Sequence, residues 1–473
     1  MGYRIWAFAT VCSLAMSASP AQAATADAAA GEASSAAGSG QDGGSAEGES
    51  DGLGEIVVTA RRRAENLLDV PISITALGGD ALDRSGLYSI QDLQDRAPNL
   101  RISMSNPRQT SVAIRGLGNN PASDGLETSV GLYLDGVYLG RPGMAAFDMI
   151  DIEQMEILRG PQGTLFGKNT TAGALNITTR RPTFTPELTF EASAGSMEYR
   201  QFRGSLSGPL IEDRVAARLS FYDTSREGQI ENIATGGRLN GSGRRGVRGQ
   251  LLIAPADNID IRVIGEYHEE SAPGAATVFA GQGPVPAGTA DFLTRVRQLG
   301  GSPVSTRGRR VNLDSRQYIN VDQGGASIQV DWEIGGHELT SVSAYRYWNF
   351  YPLNDGDQSN IDAIRAQGAD VEDDQFSQEI RLASPGGGGF DYVAGFYYFR
   401  QNLYSDLKLV FGGLADAWLG TAAGTNNGKT QRTLADLVTD SYAAFGQGTV
   451  HIGDAFHLTA GLRYTHERKS ASI

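Results

Sequence analysis

The feature that most constrains the fold is a strict alternation of apolar and polar residues after residue 183. Apolar side chains occupy every second position in residues 187–194, 214–221, 259–267 and 456–465. This period of two places them on one face of a β-strand. Roughly eleven such segments of about 8–12 residues follow one another, and that length lets a tilted strand cross a bilayer. The alternation predicts a membrane-spanning β-sheet over residues 183–473.

The connections between these segments differ in length. Short connections lie near 209–213 and 255–258, whereas long polar connections lie near 270–320, 351–373 and 403–437. Short turns at one end and long loops at the other are typical of outer-membrane β-barrels. A soluble β-sandwich also alternates, and it is the alternative interpretation.

The N-terminus has the pattern of a secretory signal over residues 1–23. Arg4 precedes the apolar run Ile5–Met16, and Ala21-Gln22-Ala23 is a small-x-small cleavage site. The alternative is a short buried helix. Cys12 is the single cysteine, so cleavage would leave a protein without disulfides, thiolate metal ligands or a thiol nucleophile.

The next segments differ sharply in composition. Residues 24–54 contain Ala, Gly, Ser and acidic residues without a basic one, which predicts a disordered tether. A short β-prone strand follows before the basic run Arg61–Arg63: Glu55, Ile56, Val57, Val58, Thr59 and Ala60. It is either an exposed strand that adds to the sheet edge of another protein or the first strand of the next domain.

Residues 61–182 are predicted to form a compact mixed α/β domain. Ser89–Asp92 is a helix start, and that helix must end before Pro98. Asp135-Gly136 is a favoured pair for a tight hairpin turn, and a strand at Glu156–Arg159 runs into a turn at Gly160–Gly163.

Several function classes find no support in the sequence. The net charge of −14 argues against a nucleic-acid partner. Gly160–Lys168 lacks the spacing of a phosphate-binding loop, the five histidines lack metal-ligand spacing, and no nucleophile-elbow motif is present. We therefore expect no enzymatic activity, no metal site and no cofactor.

Three longer motifs carry a resemblance to a known family. Ile114–Gly118, Val130–Tyr138 and especially Asp151–Gly167 with Ala172–Ile177 resemble the plug of TonB-dependent outer-membrane receptors. Glu55–Ala60 resembles that family's TonB box. The resemblance covers residues 55–473 and implies an all-β transmembrane β-barrel, of 22 strands in the family, with the N-terminal α/β plug inside its lumen. Because the sequence lacks the family's usual aromatic ending, the barrel is expected to be incomplete and the sequence truncated on its C-terminal side.

The resemblance also implies a function. Such receptors import scarce, bulky solutes with energy delivered by TonB and its inner-membrane complex, and a ferric siderophore is the favoured cargo. Cobalamin, haem or an oligosaccharide, or ligand-binding signalling without uptake, are the alternatives, whereas a passive porin would need neither box nor plug. The implied partners are TonB, outer-membrane lipid and a small iron chelate. A monomer in the outer membrane is expected, with the tether in the periplasm.

The same resemblance implies roles for individual residues. Arg115 and Arg159 of the plug are expected to pair with wall glutamates such as Glu379 and to lock the plug, or else to be surface charges beside turns. Five glycines are expected to let the plug backbone turn sharply: Gly116, Gly136, Gly160, Gly163 and Gly167.

Ligand contacts are expected at the plug apices and in the long loops. The apices are predicted at Asn106–Gln109, Asn119–Asp124 and Gly140–Met144. The acidic loop at residues 352–373 could bind a cation, or it is a solvated surface.

Overall fold

The computed structural model describes residues 57–63, 65–118, 124–285, 288–304, 308–453 and 456–473, which lie in one compact unit. The predicted signal segment 1–23 and tether 24–54 lie outside the described residues, as do Glu55 and Ile56 of the predicted box.

The first part of the described residues is a small mixed α/β domain, the plug. Its strands and α-helix are β1 (Val57–Val58), β2 (Glu65–Asn66), β3 (Ser73–Gly78), α1 (Gly79–Arg84), β4 (Leu100–Met104), β5 (Thr110–Ile114), β6 (Val130–Leu134), β7 (Val137–Leu139), β8 (Ile152–Arg159) and β9 (Gly173–Thr179). Short 3-10 helices lie at Leu67–Asp69, Ile90–Asp95, Pro107–Gln109 and Pro142–Ala145. The central sheet has the order β3-β8-β9-β6-β7, in which β6 and β9 run parallel and the other neighbours antiparallel.

Two local predictions for the plug are confirmed. Asp135 and Gly136 connect β6 to β7 with φ angles of 49° and 77°, the left-handed conformation that a two-residue type I′ hairpin turn requires. Ser89 and Asp92 form a capping box at the start of the 3-10 helix Ile90–Asp95, which ends before Pro98.

The second part of the protein forms an eleven-stranded antiparallel sheet, here called the wall sheet. Its strands are β10 (Glu187–Gly195), β11 (Tyr199–Ile211), β12 (Val215–Arg226), β15 (Ser242–Ala256), β16 (Ile259–Pro273), β18 (Tyr318–Ile334), β19 (His337–Leu353), β20 (Ile364–Ala383), β21 (Phe390–Phe411), β22 (Thr430–Ile452) and β23 (Phe456–Ser472). A separate three-stranded sheet contains β13 (Ile230–Asn232), β14 (Arg238–Leu239) and β17 (Arg310–Val311), and helices α2 (Phe292–Gln298) and α3 (Ala415–Leu419) lie in long connections. Eleven strands in sequential order confirm the count from the alternating pattern.

The lengths of the connections distinguish the two ends of the wall sheet. Those at 257–258, 335–336 and 384–389 are short and define the turn end, whereas those at 274–317 and 412–429 are long and define the loop end. The predicted loop at 403–437 is too wide, because β21 and β22 continue into it. These strands have 22 and 23 residues, beyond the predicted 8–12. A bilayer fixes only the minimum length of a spanning strand, and main-chain pairing can continue past it.

The two faces of the wall sheet have opposite character. In β12, Leu219 and Phe221 are 52% and 40% exposed on the outer face, while Arg218 and Ser220 are buried against the plug. A soluble sandwich would bury the apolar face instead. The arrangement excludes the β-sandwich interpretation.

Among the described residues, no helix has both the length and the apolar character needed to span a membrane.

The plug packs directly on the inner face of the wall sheet, which also carries apolar side chains. Wall residues Trp348, Phe350, Val371 and Leu403 belong to the same buried cluster as the plug core. The hydrophobic core of the plug therefore continues into the wall sheet on this side.

Candidate functional site

The described part of the predicted box is docked on the plug. In β1, Val57 pairs with Asn66 and Val58 pairs with Glu65 in an antiparallel register. Val58 and Ala60 are fully buried, whereas Val57 is 45% exposed. In this structure Val57–Ala60 lies against the plug, which matches the alternative of a first strand of the next domain, because an apolar strand beside the plug buries its side chains there. Addition of this strand to the sheet edge of another protein stays a prediction.

Plug side chains hold the backbone of this strand. Thr59 N donates to Glu156 Oε1 at 2.6 Å, and Gln154 Nε2 donates to Val57 O at 3.0 Å. Asn176 Nδ2 donates both to Thr59 Oγ1 at 3.1 Å and to Glu156 Oε2 at 3.2 Å. Val57 O and Thr59 N point to the same side of an extended backbone. A partner strand that paired on that side would have to displace Gln154 and Glu156.

Three consecutive arginines then connect the box to the wall sheet. Their contacts are Arg61 Nη2 with Thr449 Oγ1 at 2.8 Å, Arg62 Nη2 with Glu379 Oε2 at 3.5 Å, and Arg63 Nη1 with Asp391 Oδ2 at 3.7 Å. The three partners lie on β22, β20 and β21, near the turn end. We call residues 57–63 the coupling segment, because it touches both the plug and the wall.

Arg62 is the most enclosed of these arginines. Its guanidinium group lies 4.4 Å from the ring centre of Phe166 and 5.2 Å from that of Tyr133. Its φ of 62° is left-handed, a strained conformation for a non-glycine residue that persists only when the surroundings fix it. The aromatic cage and the ion pair with Glu379 together supply that fixation.

Glu379, the wall residue of the predicted lock, contacts Arg62 of the coupling segment. Glu379 is buried, and it contacts Arg381 Nη1 at 3.0 Å in addition to Arg62. In the described part of the protein, neither Arg115 nor Arg159 pairs with Glu379.

Arg115 and Arg159 instead lie near each other on the plug. Arg115 is exposed, with a φ of 53°, and Arg159 Nη2 donates to Pro98 O at 3.2 Å. Burial and the neighbouring charge of Arg115 both lower the pKa of Arg159. The alternative that these arginines are charges beside turns matches their placement better than the predicted lock.

A second set of plug–wall ion pairs, which the sequence did not predict, has the opposite polarity. The pairs are Asp135 Oδ1 with Arg262 Nη1 at 3.3 Å, Asp148 Oδ1 with Arg244 Nη1 at 2.7 Å, and Asp151 Oδ1 with Arg218 Nη2 at 2.7 Å. In each pair the carboxylate belongs to the plug and the arginine to β12, β15 or β16. A sequence signal was present, since Arg218 and Arg262 occupy the polar positions of alternating strands.

Four of the five selected glycines take a left-handed backbone conformation. These are Gly116, Gly136, Gly160 and Gly167, with φ between 76° and 93°. At Gly167 a side chain would also meet the guanidinium group of Arg463 at 2.7 Å. Gly163 has neither feature, and the structure gives no reason for glycine there.

A cleft of about 740 Å³ lies at the loop end between the plug and β21, β22 and β23. Arg108, Asp124 and Gly140–Pro142 line it from the plug side, which places parts of all three predicted apices beside one cleft. Residues 119–123 of the second apex lie outside the described residues. Asp124 accepts from Arg108 Nη2 at 2.8 Å and from Arg141 Nη2 at 2.6 Å.

Two carboxyl groups of the acidic loop accept hydrogen bonds from the loop's own backbone. Asp355 accepts from Gln358 N at 2.8 Å and Asp357 from Ile364 N at 2.7 Å, so both buried carboxyl groups hold the loop backbone. Burial and the charge of Asp357 raise the pKa of Asp355 to about 7. Within the described ranges, no group of three or more His, Cys, Asp or Glu side chains has an arrangement that could hold a metal ion.

Comparisons with known proteins agree with this architecture. A family model described as the TonB-dependent receptor plug domain matches residues 66–174. The pesticin receptor of Yersinia pestis is 25% identical over 423 residues, which cover 88% of this chain and 56% of that receptor. Residues 66–174 thus match the plug domain of TonB-dependent receptors, and the chain is similar to such receptors over most of its length.

A vitamin B12 transporter matches a shorter part of the chain. The vitamin B12 transporter BtuB of Vibrio vulnificus (strain CMCP6) is 30% identical over 187 residues, covering 38% of this chain and 30% of the transporter. The chain spans about half the length of the pesticin receptors, 56% for the Yersinia pestis protein.

Solved receptor structures share the fold. The ferric yersiniabactin uptake receptor FyuA from Yersinia pestis has a TM-score of 0.71 at 20% identity, and the alignment covers 85% of this chain and 57% of FyuA. The ferripyoverdine receptor of the Pseudomonas aeruginosa outer membrane has a TM-score of 0.68 at 17% identity, with 88% and 54% covered. The plug against the wall sheet is thus the arrangement of TonB-dependent receptors.

Proposed function

We propose that this TonB-dependent receptor imports a ferric siderophore across the outer membrane with energy that TonB delivers through the coupling segment. The observation that carries the proposal is the coupling segment itself, which contacts the plug through Glu156 and three wall strands through Arg61–Arg63. A passive pore has no use for such a connection. Two structures with the same fold, the ferric yersiniabactin uptake receptor and the ferripyoverdine receptor, are named for iron chelates, which supports an iron-chelate cargo.

The proposal assigns a role to each part of the protein. Residues 1–23 direct secretion, 24–54 form a periplasmic tether, 55–60 are the TonB box, 61–182 are the plug and 183–473 are wall. The turn end faces the periplasm, the loop end faces outside, and the outer face of the wall contacts lipid. The receptor works as a monomer beside TonB and its inner-membrane complex.

Coupling requires the segment to leave the plug. TonB would add a strand to the box by main-chain hydrogen bonds. Because Gln154 and Glu156 occupy one side of β1 and β2 also pairs with it, the partner must first displace these contacts. A pull on the segment then acts directly on Arg62 and its ion pair with Glu379.

Replacement of Val57 by proline tests the proposal. Proline removes the backbone donor and fixes φ, so the box can no longer pair fully with a partner strand. We expect Val57→Pro to abolish uptake of a radiolabelled iron chelate while cells still bind it. Val57→Thr keeps the donor and the β-branched shape, and it should import normally.

An uncoupler of the inner-membrane proton gradient separates the alternatives. Uptake should stop while binding continues. Import that persists with the uncoupler or in Val57→Pro would indicate a pore, and binding without any energised uptake would indicate a signalling receptor.

A further inference from the structure

Two histidines face each other at the turn end of the wall sheet. His451 of β22 and His457 of β23 are register partners, and their Nδ1 atoms lie 2.7 Å apart. They lie two residues from Thr449 and Thr459, and residues two apart on a strand share a face. The pair therefore lies on the inner face with Thr449, which Arg61 of the coupling segment contacts. His457 is exposed and His451 is half-buried, so solvent reaches both rings.

Asp391 of β21 fixes how His451 presents its ring. His451 Nε2 lies 2.9 Å from Asp391 Oδ2. An ionised carboxylate can only accept a hydrogen bond, so Nε2 carries the proton of the neutral ring and Nδ1 keeps a free lone pair. A metal-binding histidine is held in the same way, with one ring nitrogen on a carboxylate and the other on the metal. Nδ1 of His451 is therefore oriented as a metal ligand, and it faces Nδ1 of His457.

A hydrogen bond between the two rings is the simpler arrangement of this pair. It requires the proton of His457 on Nδ1, whereas a metal ion requires that proton on Nε2, and an exposed imidazole exchanges its proton with solvent. A metal ion about 2.0–2.1 Å from each nitrogen places the two nitrogens about 3.0–3.4 Å apart. The rings need to separate by only a few tenths of an ångström, which the exposed ring of His457 allows.

The charges around the pair select the class of ion. Arg63 lies 3.4 Å from Glu65 Oε1 and 3.7 Å from Asp391 Oδ2, and Arg61 Nη1 lies 3.4 Å from Glu65 Oε1. Two arginines thus balance two carboxylates, which leaves little attraction for a hard cation such as Ca²⁺ or Mg²⁺. Neutral imidazole nitrogens suit Zn²⁺, Cu²⁺ and Ni²⁺ instead. Asp391 Oδ1 is buried without a hydrogen-bond partner among the described residues, so it is free to accept from a metal-bound water.

We propose that His451 and His457 bind a divalent transition-metal ion, Cu²⁺, Ni²⁺ or Zn²⁺, through their Nδ1 atoms. In the described part of the chain no group of three His, Cys, Asp or Glu side chains is arranged to hold a metal, so water completes the coordination. Asp391 is a positioning residue, because it holds the ring of His451. The same carboxylate contacts Arg63, which places the site one side chain away from the coupling segment. The inference does not depend on import.

Titration with Cu²⁺ tests the site. The protein as its gene encodes it is purified in detergent without a histidine tag, since a tag binds the same ions, and Cu²⁺ is added in a buffer that does not chelate it. We expect one tightly bound Cu²⁺ per chain, with two imidazole nitrogens in its electron paramagnetic resonance spectrum. Excess Ca²⁺ or Mg²⁺ should not displace it, and displacement by either ion would overturn the imidazole site.

Three variants and one control make the test specific. His451→Gln and His457→Gln should each weaken Cu²⁺ binding at least about tenfold and remove one imidazole nitrogen from the spectrum. Asp391→Asn should weaken binding about tenfold, the loss typical of a carboxylate that orients a metal-bound histidine. His337→Gln changes a histidine at the same turn end whose Nδ1 contacts Gly335 O, and it should bind Cu²⁺ like the unchanged protein.

Histidine labelling tests the site without any substitution. Diethyl pyrocarbonate modifies the ring nitrogen that carries the lone pair, and a bound metal occupies that nitrogen. Zn²⁺ at about ten times its Kd should slow modification of His457 about tenfold and leave that of His337 unchanged, as peptide mass spectrometry measures. Unslowed modification of His457, or equal Cu²⁺ affinity in both single histidine variants, would indicate an adventitious ion only and overturn the site. Unchanged affinity in Asp391→Asn would overturn its positioning role.

Discussion

Arg62 lies where the coupling segment, the plug and the wall sheet meet. Its guanidinium group is held by the rings of Tyr133 and Phe166 from the plug and by Glu379 from the wall. Removing one partner of a buried ion pair is costly, because the other charge stays buried without compensation. Arg62 therefore holds the coupling segment on the plug, and under the proposed function a pull by TonB would act on this contact.

Replacement of Arg62 by glutamine should release the coupling segment. We expect amide hydrogen exchange of Val58 and Thr59 to speed up at least about tenfold, which corresponds to the loss of about 1.4 kcal/mol from one charge-assisted contact. Exchange mass spectrometry of outer-membrane vesicles measures this. Arg159→Gln is the control, and an equal acceleration there would contradict the role given to Arg62.

The sequence predicts some of the residues that join the plug to the wall, but it does not predict which of them pair with each other. Glu379 was found from the family motif, and it is buried in the wall as expected. Its partner was assigned to Arg115 or Arg159, which also belong to strong motifs. Side-chain partners across a sheet of eleven strands depend on how the plug sits against the wall, and no local pattern in Arg61–Arg63 contains that information.

Among the elements, the loop at 354–363 is held in its conformation by hydrogen bonds from backbone N–H groups to its own carboxyl groups. Asp355 and Asp357 accept backbone N–H groups from Ser315, Gln358, Ser359 and Ile364. Both are buried, and burial raises the pKa of each. The stability of the folded loop should therefore change with pH.

The packing of this loop should weaken as pH rises. Asp355 keeps its proton up to about pH 7 in the folded loop, whereas the ordinary value is 3.8. Between about pH 4 and pH 7 the folded loop binds more protons than the unfolded one, so stability falls with rising pH and levels off above about 7. Limited proteolysis within 354–363 should be faster at pH 8 than at pH 5.

Two variants of the same loop check the cause. Asp355→Asn imitates the neutral carboxyl group and should reduce the pH dependence of proteolysis, while buried Asp357 supplies what remains. Asp362→Asn changes an exposed carboxylate paired with Arg365, and it should retain the full pH dependence. A pH dependence in Asp355→Asn as large as in the unchanged protein would disprove the assignment.

Secondary structure was the part of the fold that the sequence predicted best. Alternation gave eleven wall strands because burial on one face follows directly from a period of two. The ends of β21 and β22 were placed wrongly, since residues 403–411 and 430–437 read as polar loop but still pair between strands. Main-chain pairing, which any residue except proline can make, sets those ends.

Plug carboxylates pair with wall arginines on the β12–β16 side, and ion pairs of both polarities join the plug to the wall on the β20–β23 side. Asp135, Asp148 and Asp151 face arginines of β12, β15 and β16, while Arg62 faces Glu379 of β20. The coupling segment contacts the β20–β22 side. A pull on it reaches that side first and leaves the three carboxylate contacts as the anchor.

Loss of one of these plug–wall ion pairs should lower the stability of the plug. Asp151→Asn leaves buried Arg218 with Glu187, which is 46% exposed, as its remaining carboxylate, and we expect about 2–3 kcal/mol lower plug stability. The readout is urea-dependent labelling of a thiol introduced as Val112→Cys in the plug core. The double variant Asp151→Leu/Arg218→Leu should lose less than the single one, and a larger loss would refute the ion pair as the anchor.

The central claim is that the coupling segment must leave the plug for import to occur, and a reversible cross-link between the segment and the plug sheet tests it most directly. Asn176 Nδ2 of β9 donates to Thr59 Oγ1 of the coupling segment at 3.1 Å, so thiols at these two positions lie within reach of a short reducible bis-thiol cross-linker. The double variant Thr59→Cys/Asn176→Cys should bind an iron chelate whether or not it is cross-linked, import it after reduction and fail to import it while cross-linked. Import at the same rate in the cross-linked and reduced states would contradict the account.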